Sequence, residues 1–294
     1  MLKQLPAHVF SHLLLMASGY FMLAGCQSKP AQPQPSSSPR PLAAAPDSLA
    51  KPDTTRQETF TIAEIQTRLG VMKVKLYDNT PRHKAQFIQL AKSGFYDGTF
   101  FHRAIQGLMI QGGDANSKNN DPQDDGLGHA ETQIPQEISP ENIHKRGAVC
   151  AVALPETPDR STGTQFYIIQ GGDPISARIL ADQQDQVRML TGKSNFTYTT
   201  EARRTYRAVG GAPWLDLQYT CFGEVVEGLS VLDRLAGLDT PRKLGEATED
   251  PMLMDRPQNL RNTRMTIRII EPAPVPDGTK NSVAANHNGV SVKR

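Results

Sequence analysis

Cysteine is scarce in this chain, tryptophan scarcer, and no charge sign dominates. Three cysteines, an odd number, exclude the disulfide framework that staples small secreted domains. Lys and Arg total 32 against 30 Asp and Glu, a net charge of +2. That balance is neutral on a nucleic-acid partner, and no dense basic run supports one, so none is expected. No apolar run of about 20 residues follows the extreme N-terminus, so no spanning helix is expected in the body of the chain. Catalytic signatures are missing as well. There is no H-E-x-x-H, no C-x-x-C, no Walker loop and no G-x-S-x-G elbow. The seven histidines are scattered, so neither a metal nor a cofactor is expected. What remains is an ordinary globular balance, 38% hydrophobic and 21% charged over 294 residues, enough for one sizeable domain or two small ones.

The N-terminus reads as an address. Lys3 supplies a positive start, and residues 9–23 are largely apolar. The stretch is too short and wrongly flanked for a stable span, and fits a secretory signal. It closes on Leu23-Ala24-Gly25-Cys26, which resembles a bacterial lipobox. Residues 1–25 are therefore expected to be a lipoprotein signal peptide and Cys26 the lipid attachment point. Several acyl chains together hold a membrane far better than one. The expected location is the bacterial cell envelope, periplasmic or outer membrane; Ser28 does not decide the leaflet. Residues 26–57 are rich in Pro, Ser, Ala and Gln and read as an extended tether without a core. Residues 273–294 have no periodicity and read as a disordered tail.

Residues 58–272 carry the folding pattern. Met72, Val74 and Leu76 alternate with Lys73, Lys75 and Tyr77, the period of a half-buried strand. Leu69-Gly70 marks a tight turn and makes residues 60–66 the hairpin partner. Thr80-Pro81 predicts a capped helix start, Phe87, Ile88 and Ala91 continue it, and Gly94 stops it. Further strands are predicted over 147–153, 165–169, 219–225 and 264–270. Val231, Leu232 and Leu235 predict a second helix. Many short strands with two helices imply an all-β fold, a closed barrel or a sandwich. Cys150 and Cys221 lie in apolar strand segments and are expected to be free, buried thiols. A bond between them would need Cα atoms within roughly 7 Å, which spacing alone does not give.

Residues 100–114, FFHRAIQGLMIQGGD, bring a cation, an amide and several apolar side chains together. On a strand Arg103 and Ile105 share one side, as do Met109 and Gln111. An arginine and a glutamine can thus converge beside an apolar hollow, the usual form of a small binding site.

Here the sequence resembles the cyclophilins. TRLGVMKVKLYDNTPRH (67–83), FYDGTFFHRAIQGLMIQGGD (95–114), STGTQFYIIQ (161–170) and PWLDLQYTCFGEVVEGLSVLDRL (213–235) match that family in order. The match runs from about 58 to 271. It implies a closed eight-stranded antiparallel barrel capped by two helices, with an insertion at about 173–212. In that insertion Ile179, Leu180, Gln183 and Val187 have partial helical spacing, and it ends beside Trp214, which suggests a flap at the groove edge. The resemblance implies a peptidyl-prolyl cis-trans isomerase with Arg103 as the catalytic arginine and Gln111 supporting it. Leu108, Met109, Tyr167 and Leu215 would line a proline pocket. Gln165, Phe166, Trp214 and Tyr219 would wall it, with Val152 and Ala153 along the peptide groove and His102 counted among the substrate-binding residues. Proline-containing segments of exported proteins are the implied substrates, in a monomer. A cyclosporin-type ligand site is implied too, although Leu108 replaces the family's usual phenylalanine. Ala153 and Tyr219 also depart from the commonest pattern. The rival on the same scaffold is a non-catalytic chaperone that grips proline-containing loops.

Overall fold

The computed structural model describes residues 60–270, apart from Asn120, Thr132 and Glu249. The expected signal peptide, Cys26, the tether and the tail lie outside the described residues.

The chain opens with a hairpin of β1 (Ile62–Thr67) and β2 (Gly70–Leu76), paired from Ile62↔Lys75 to Thr67↔Gly70. The alternation is as read: Ala63 and Ile65 face inward with Met72, Val74 and Leu76. Gly70 sits at φ 129° against Val231, where a side chain would collide. Helix α1 (Pro81–Lys92) starts with proline at its first position, but Thr80 does not cap it. The Thr80 hydroxyl turns back to the Tyr77 carbonyl. The cap comes instead from Glu137, whose carboxylate accepts from the backbone N–H groups of Arg82 and His83 at 3.1 and 3.0 Å. A carboxylate suits this place because the first N–H groups of a helix lack partners and carry partial positive charge.

Two short strands follow, β3 (Arg103–Ile105) and β4 (Met109–Gly112), then β5 (Ile134–Pro135), β6 (Ala148–Leu154) and the long β7 (Thr157–Ile169). Helices α2 (Ala177–Thr191) and α3 (Thr200–Val209) occupy the expected insertion. The chain ends with β8 (Cys221–Glu227), α4 (Leu229–Ala236), the single turn α5 (Pro241–Leu244) and β9 (Met265–Ile270). The strand order is β3-β4-β7-β6-β8-β2-β1-β9, with β5 alongside β7 and every pairing antiparallel. Eight strands form the path, as expected. Its ends do not pair as strands, so by strand pairing the barrel is open. The segment before β3 spans the seam: Phe100 bridges Arg264, and Met265 bonds Thr99 at 2.8 Å.

Register sorts the side chains of five neighbouring strands onto two faces. Ala104, Ile110, Ile168 and Val149 stand opposite one another and enter the main core with Phe87, Tyr96 and Phe101. One residue along, Arg103, Gln111, Tyr167, Cys150 and Cys221 form a second row on the other face. Directly paired antiparallel residues point the same way, and neighbours along a strand point opposite ways. Phe166 is thereby corrected. It lies in the main core, edge-on to Phe87, Tyr96 and Phe101 with centroids 5.5, 5.8 and 6.0 Å away, and cannot wall a pocket on the face that Tyr167 occupies.

The insertion has its own small core of Leu180, Tyr198, Ala202 and Tyr206 against Ile143. Ser176 and Thr199 cap its helices by accepting from Ile179 and Ala202 N–H. The buried side of α2 is Leu180, Gln184 and Val187, while Ile179 is exposed. The sequence pattern had placed Ile179 and Gln183 on that side; the helix rotates one residue so that Gln184 can accept from Tyr198 N–H and Arg203.

Replacing Phe166 by alanine is expected to destabilise the domain by about 3–5 kcal/mol. Urea unfolding measures this, and a loss below about 1 kcal/mol would contradict the core placement.

Candidate active site

Arg103 occupies the end of the second row. Its side chain is 22% exposed, and its Nε donates to Asp255 Oδ2 at 3.1 Å. Asp255 ends a 3-10 turn (Pro251–Asp255) and is almost fully buried; its other oxygen accepts from Nε of Arg242. One carboxylate thus holds two guanidinium groups by charge-assisted bonds, the stronger class of hydrogen bond. Neither terminal NH2 group of Arg103 meets a protein acceptor among the described residues.

Gln111 stands directly opposite Arg103 in the ladder. Its amide is oriented by a relay. Gln165 donates its NH2 group to the carbonyls of Gly126 and Gly128, so its Oε1 must face Gln111, whose Nε2 donates to it at 3.0 Å. That leaves the Gln111 oxygen as a free acceptor beside the arginine. Asp114 in turn sets the loop: it is fully buried and accepts from Asn116, Gly126 and Gly128 N–H. Burial holds the Asp114 carboxyl above the usual range, against these bonds. Gly113, at φ 84°, lets the strand approach Thr164, where a Cβ would sit 2.6 Å from its carbonyl oxygen. The expected support of Arg103 by Gln111 is therefore corrected in one respect: the bonded partner is Asp255, and Gln111 is a neighbour in register.

Beside this polar end lies an apolar cluster. Met109, Tyr167 and Leu215 form its buried floor; Leu108, Val152, Trp214 and Tyr219 are half-buried around it. Tyr219 meets Tyr167 edge-on, with centroids 6.2 Å apart. Trp214 and Leu215 come from a 3-10 turn (Pro213–Leu215). Two residues on, Leu217 is the one non-glycine at positive φ, 62°, among the described residues. Such a backbone persists only where its surroundings hold it. Here Gln218 donates to the Trp214 carbonyl at 2.6 Å and Asp216 is locked below. Ala153 is half-buried and pairs with Ser161, further along β6 than the floor residues.

Behind the floor runs a buried hydrogen-bond chain. The Tyr167 hydroxyl meets His144 Nε2 at 2.9 Å, and His144 Nδ1 meets Asp216 Oδ1 at 2.8 Å. Asp216 Oδ2 accepts from the hydroxyls of Tyr198 and Tyr206 at 2.8 and 2.6 Å, both in the insertion. The insertion therefore braces the pocket floor from behind. Beyond the flap expected at the groove edge, the insertion is thus a buttress, since its tyrosines satisfy the buried carboxylate.

His102 is buried, and neither ring nitrogen has a hydrogen-bond partner. Burial, then the charges of Arg103 and Arg256, lower its pKa to about 3. It is a neutral packing group next to Arg103, and the expected substrate contact is corrected accordingly. Residues missed in the sequence are Asp255, His144 and Asp216. Asp216 had a signal, its place after Trp214-Leu215 in a matched stretch; Asp255 had none.

Comparison with known proteins gives these likenesses. The profile of the family described as cyclophilin type peptidyl-prolyl cis-trans isomerase/CLD matches residues 62–256. A Streptococcus pyogenes protein, provisionally named a bifunctional phosphatase/peptidyl-prolyl cis-trans isomerase, is 32% identical over 182 residues, 60% of this chain and 34% of the relative. A Staphylococcus epidermidis protein, provisionally named a peptidyl-prolyl cis-trans isomerase, is 30% identical over 176 residues, 58% of this chain and 79% of the relative. The chain thus spans about a third of the streptococcal relative. The crystal structure of a Cryptosporidium parvum cyclophilin type peptidyl-prolyl cis-trans isomerase gives a TM-score of 0.49 at 21% identity, covering 73% of this chain and 99% of that one.

The neutral ring of His102 ties stability to pH. In the unfolded chain its pKa returns to about 6.5, so the unfolded state takes up the proton first as pH falls. Stability is full above that value and declines as pH drops toward the folded value of about 3. Between pH 7 and 5 wild type should lose about 2 kcal/mol more than a His102→Leu variant. Urea unfolding at both values tests this; equal losses in the two proteins would refute it.

Proposed function

This chain belongs to the cyclophilin-type peptidyl-prolyl cis-trans isomerases, and from that premise we propose that it accelerates X-Pro rotation through Arg103. The observation that carries the reading is an arginine fixed through Nε by Asp255, with its remaining donors unused, on the face that carries the apolar cluster. An amide C–N bond resists rotation by about 18–20 kcal/mol because of resonance. Uncatalysed X-Pro exchange takes tens to hundreds of seconds. In the twisted state resonance is lost and the proline nitrogen becomes pyramidal and basic. A guanidinium N–H donated to that nitrogen stabilises the twisted form and not the planar one, and only such a difference accelerates the step. Met109, Tyr167 and Leu215 would seat the pyrrolidine ring while the carbonyl side rotates, and the free Gln111 oxygen would accept from the peptide. A thousandfold gain needs about 4 kcal/mol, within reach of one charged hydrogen bond plus positioning. No nucleophile takes part, so the peptide leaves uncleaved.

The proposed clients are exported or envelope proteins with flexible X-Pro segments. Lipid on Cys26 would hold the domain in the bacterial envelope, and residues 26–57 would keep it clear of the bilayer. The Leu23-Ala24-Gly25-Cys26 motif supports this reading. The apolar rim also supports a cyclosporin-type ligand.

With a short X-Pro peptide, Arg103→Ala should lower kcat/KM by about 100–1,000-fold while peptide binding is retained. Arg103→Lys should fail to restore the rate, because lysine is a point charge without the directed fork. Asp255→Asn should lower kcat by about tenfold at unchanged KM, the mark of a positioning residue. A wild type that binds the peptide without isomerising it makes the protein a chaperone instead, and cleaved peptide makes it a hydrolase. For the anchor, cells fed a labelled fatty acid should label the wild type and not Cys26→Ser; equal labelling would remove the anchor from the proposal.

A further inference from the structure

Below Tyr167 lie three side chains that isomerisation does not use. His144, Cys150 and Cys221 are at most 1% exposed, and one ligand atom from each lies within 4.8 Å of the other two. Both cysteines are free thiols. They are direct cross-strand partners on β6 and β8, so their side chains lean to the same face. His144 enters from the loop before β6, held by its own N–H on Asp216 Oδ1 at 2.7 Å. No sequence spacing announces this set, because its members come from a loop and two separate strands.

The surroundings are those of a metal-ligating imidazole. Such rings almost always give their second N–H to a carboxylate, a backbone carbonyl or water, which fixes the tautomer and aims the other nitrogen at the metal. Asp216 takes Nδ1 of His144 in this way, and Asp216 is itself fixed by two tyrosine hydroxyls. Nε2 then faces the Tyr167 hydroxyl at 2.9 Å, and that hydroxyl also reaches the Cys150 sulfur. Two sulfurs, one nitrogen and one phenol oxygen converge on one small volume.

We propose that His144, Cys150 and Cys221 are the ligands of a zinc(II) site, with the Tyr167 hydroxyl at the fourth position. Charge favours this occupant. Two thiolates neutralise a divalent cation, so the filled site adds no net charge to a buried region, where an unpaired ion is costly. Asp216 already has four donors and needs none of the metal's charge. Zinc accepts this mixed sulfur and nitrogen set tetrahedrally, with Zn–S of about 2.3 Å and Zn–N of about 2.0–2.1 Å. Those lengths put the two sulfurs about 3.8 Å apart, so donors already within 4.8 Å of one another need draw together by no more than about 1 Å on binding. The two thiol protons pass to solvent as the thiolates form. Occupation also takes Nε2 from Tyr167, which ties the metal to the floor of the proline pocket.

The full-length chain, isolated from zinc-containing medium, should carry one zinc per chain by elemental analysis. Cobalt(II) in its place should give a thiolate-to-cobalt charge-transfer band and the intense visible bands of tetrahedral coordination. Both should vanish in the Cys150→Ser/Cys221→Ser double variant, with circular dichroism showing that it folds. Should that variant not fold, X-ray absorption of the wild-type zinc protein decides alone. Two sulfur scatterers with nitrogen or oxygen in the first shell support the site; an all-oxygen or all-nitrogen shell overturns it. Metal retained by a folded double variant, no metal taken up by reduced wild type, or freshly isolated protein two hydrogens lighter from a Cys150–Cys221 disulfide, also overturns it.

Discussion

Antiparallel register is the constraint on which everything else in this domain rests. Because paired residues share a face, one row of five positions gathers Arg103, Gln111, Tyr167, Cys150 and Cys221 from five strands. The adjacent row sends Ala104, Ile110, Ile168 and Val149 into the core by the same rule. A slip of one residue in β4 would bury Gln111 and expel Ile110, so the packing of the inner face fixes the chemistry of the outer one. The register shifts opposite Ala151–Ala153 and Val149–Cys150 place the extra residues on β7 and β8, beside this row. They let those two strands bend next to it.

Carboxylates do the remaining positioning, three of the four over more than 50 residues of sequence. Asp255 holds Arg103, Asp114 folds the loop that orients Gln165, Asp216 holds His144, and Glu137 caps α1. Each accepts at least two hydrogen bonds. A buried carboxylate left with fewer would be strongly destabilising, so every one of these groups specifies a single arrangement of its neighbours. Asp255 also supplies rigidity that a solvent-exposed arginine lacks. A guanidinium held at Nε has already lost the rotamer freedom it would otherwise surrender on meeting a substrate.

Legibility followed locality. The first hairpin and α1 were readable because their signals, two-residue alternation and a proline at the helix start, act within a few neighbours. The pair β3 and β4 was readable through its resemblance to a family and through the shared side of Arg103 and Ile105. Phe166 shows the limit of resemblance used without physics. Gln165, Phe166 and Tyr167 are consecutive on a strand, so all three cannot face one pocket, and alternation alone excluded the middle one. Asp255 was illegible for a different reason. It lies 152 residues beyond its partner, in a turn with no periodicity, and only the folded chain brings the two together. The missing Thr80 cap is of the same kind, since a distant carboxylate outcompetes a local hydroxyl.

The insertion changes what the pocket floor can do. A tyrosine at position 167 differs from a purely apolar ring in having a hydroxyl that must be satisfied when buried. His144 satisfies it, Asp216 satisfies His144, and Tyr198 and Tyr206 complete Asp216. Remove the insertion and two donors leave a buried carboxylate, which loosens His144 and then the Tyr167 ring at the cluster floor. The strained Leu217 sits at the hinge of this arrangement, between Asp216 and the groove residue Tyr219. Its left-handed backbone turns the chain so that Asp216 points inward while Trp214 and Tyr219 stay at the rim. The groove and the insertion are therefore one mechanical unit, coupled through a single buried aspartate, and the helices behind the barrel belong to the site as much as the strands in front.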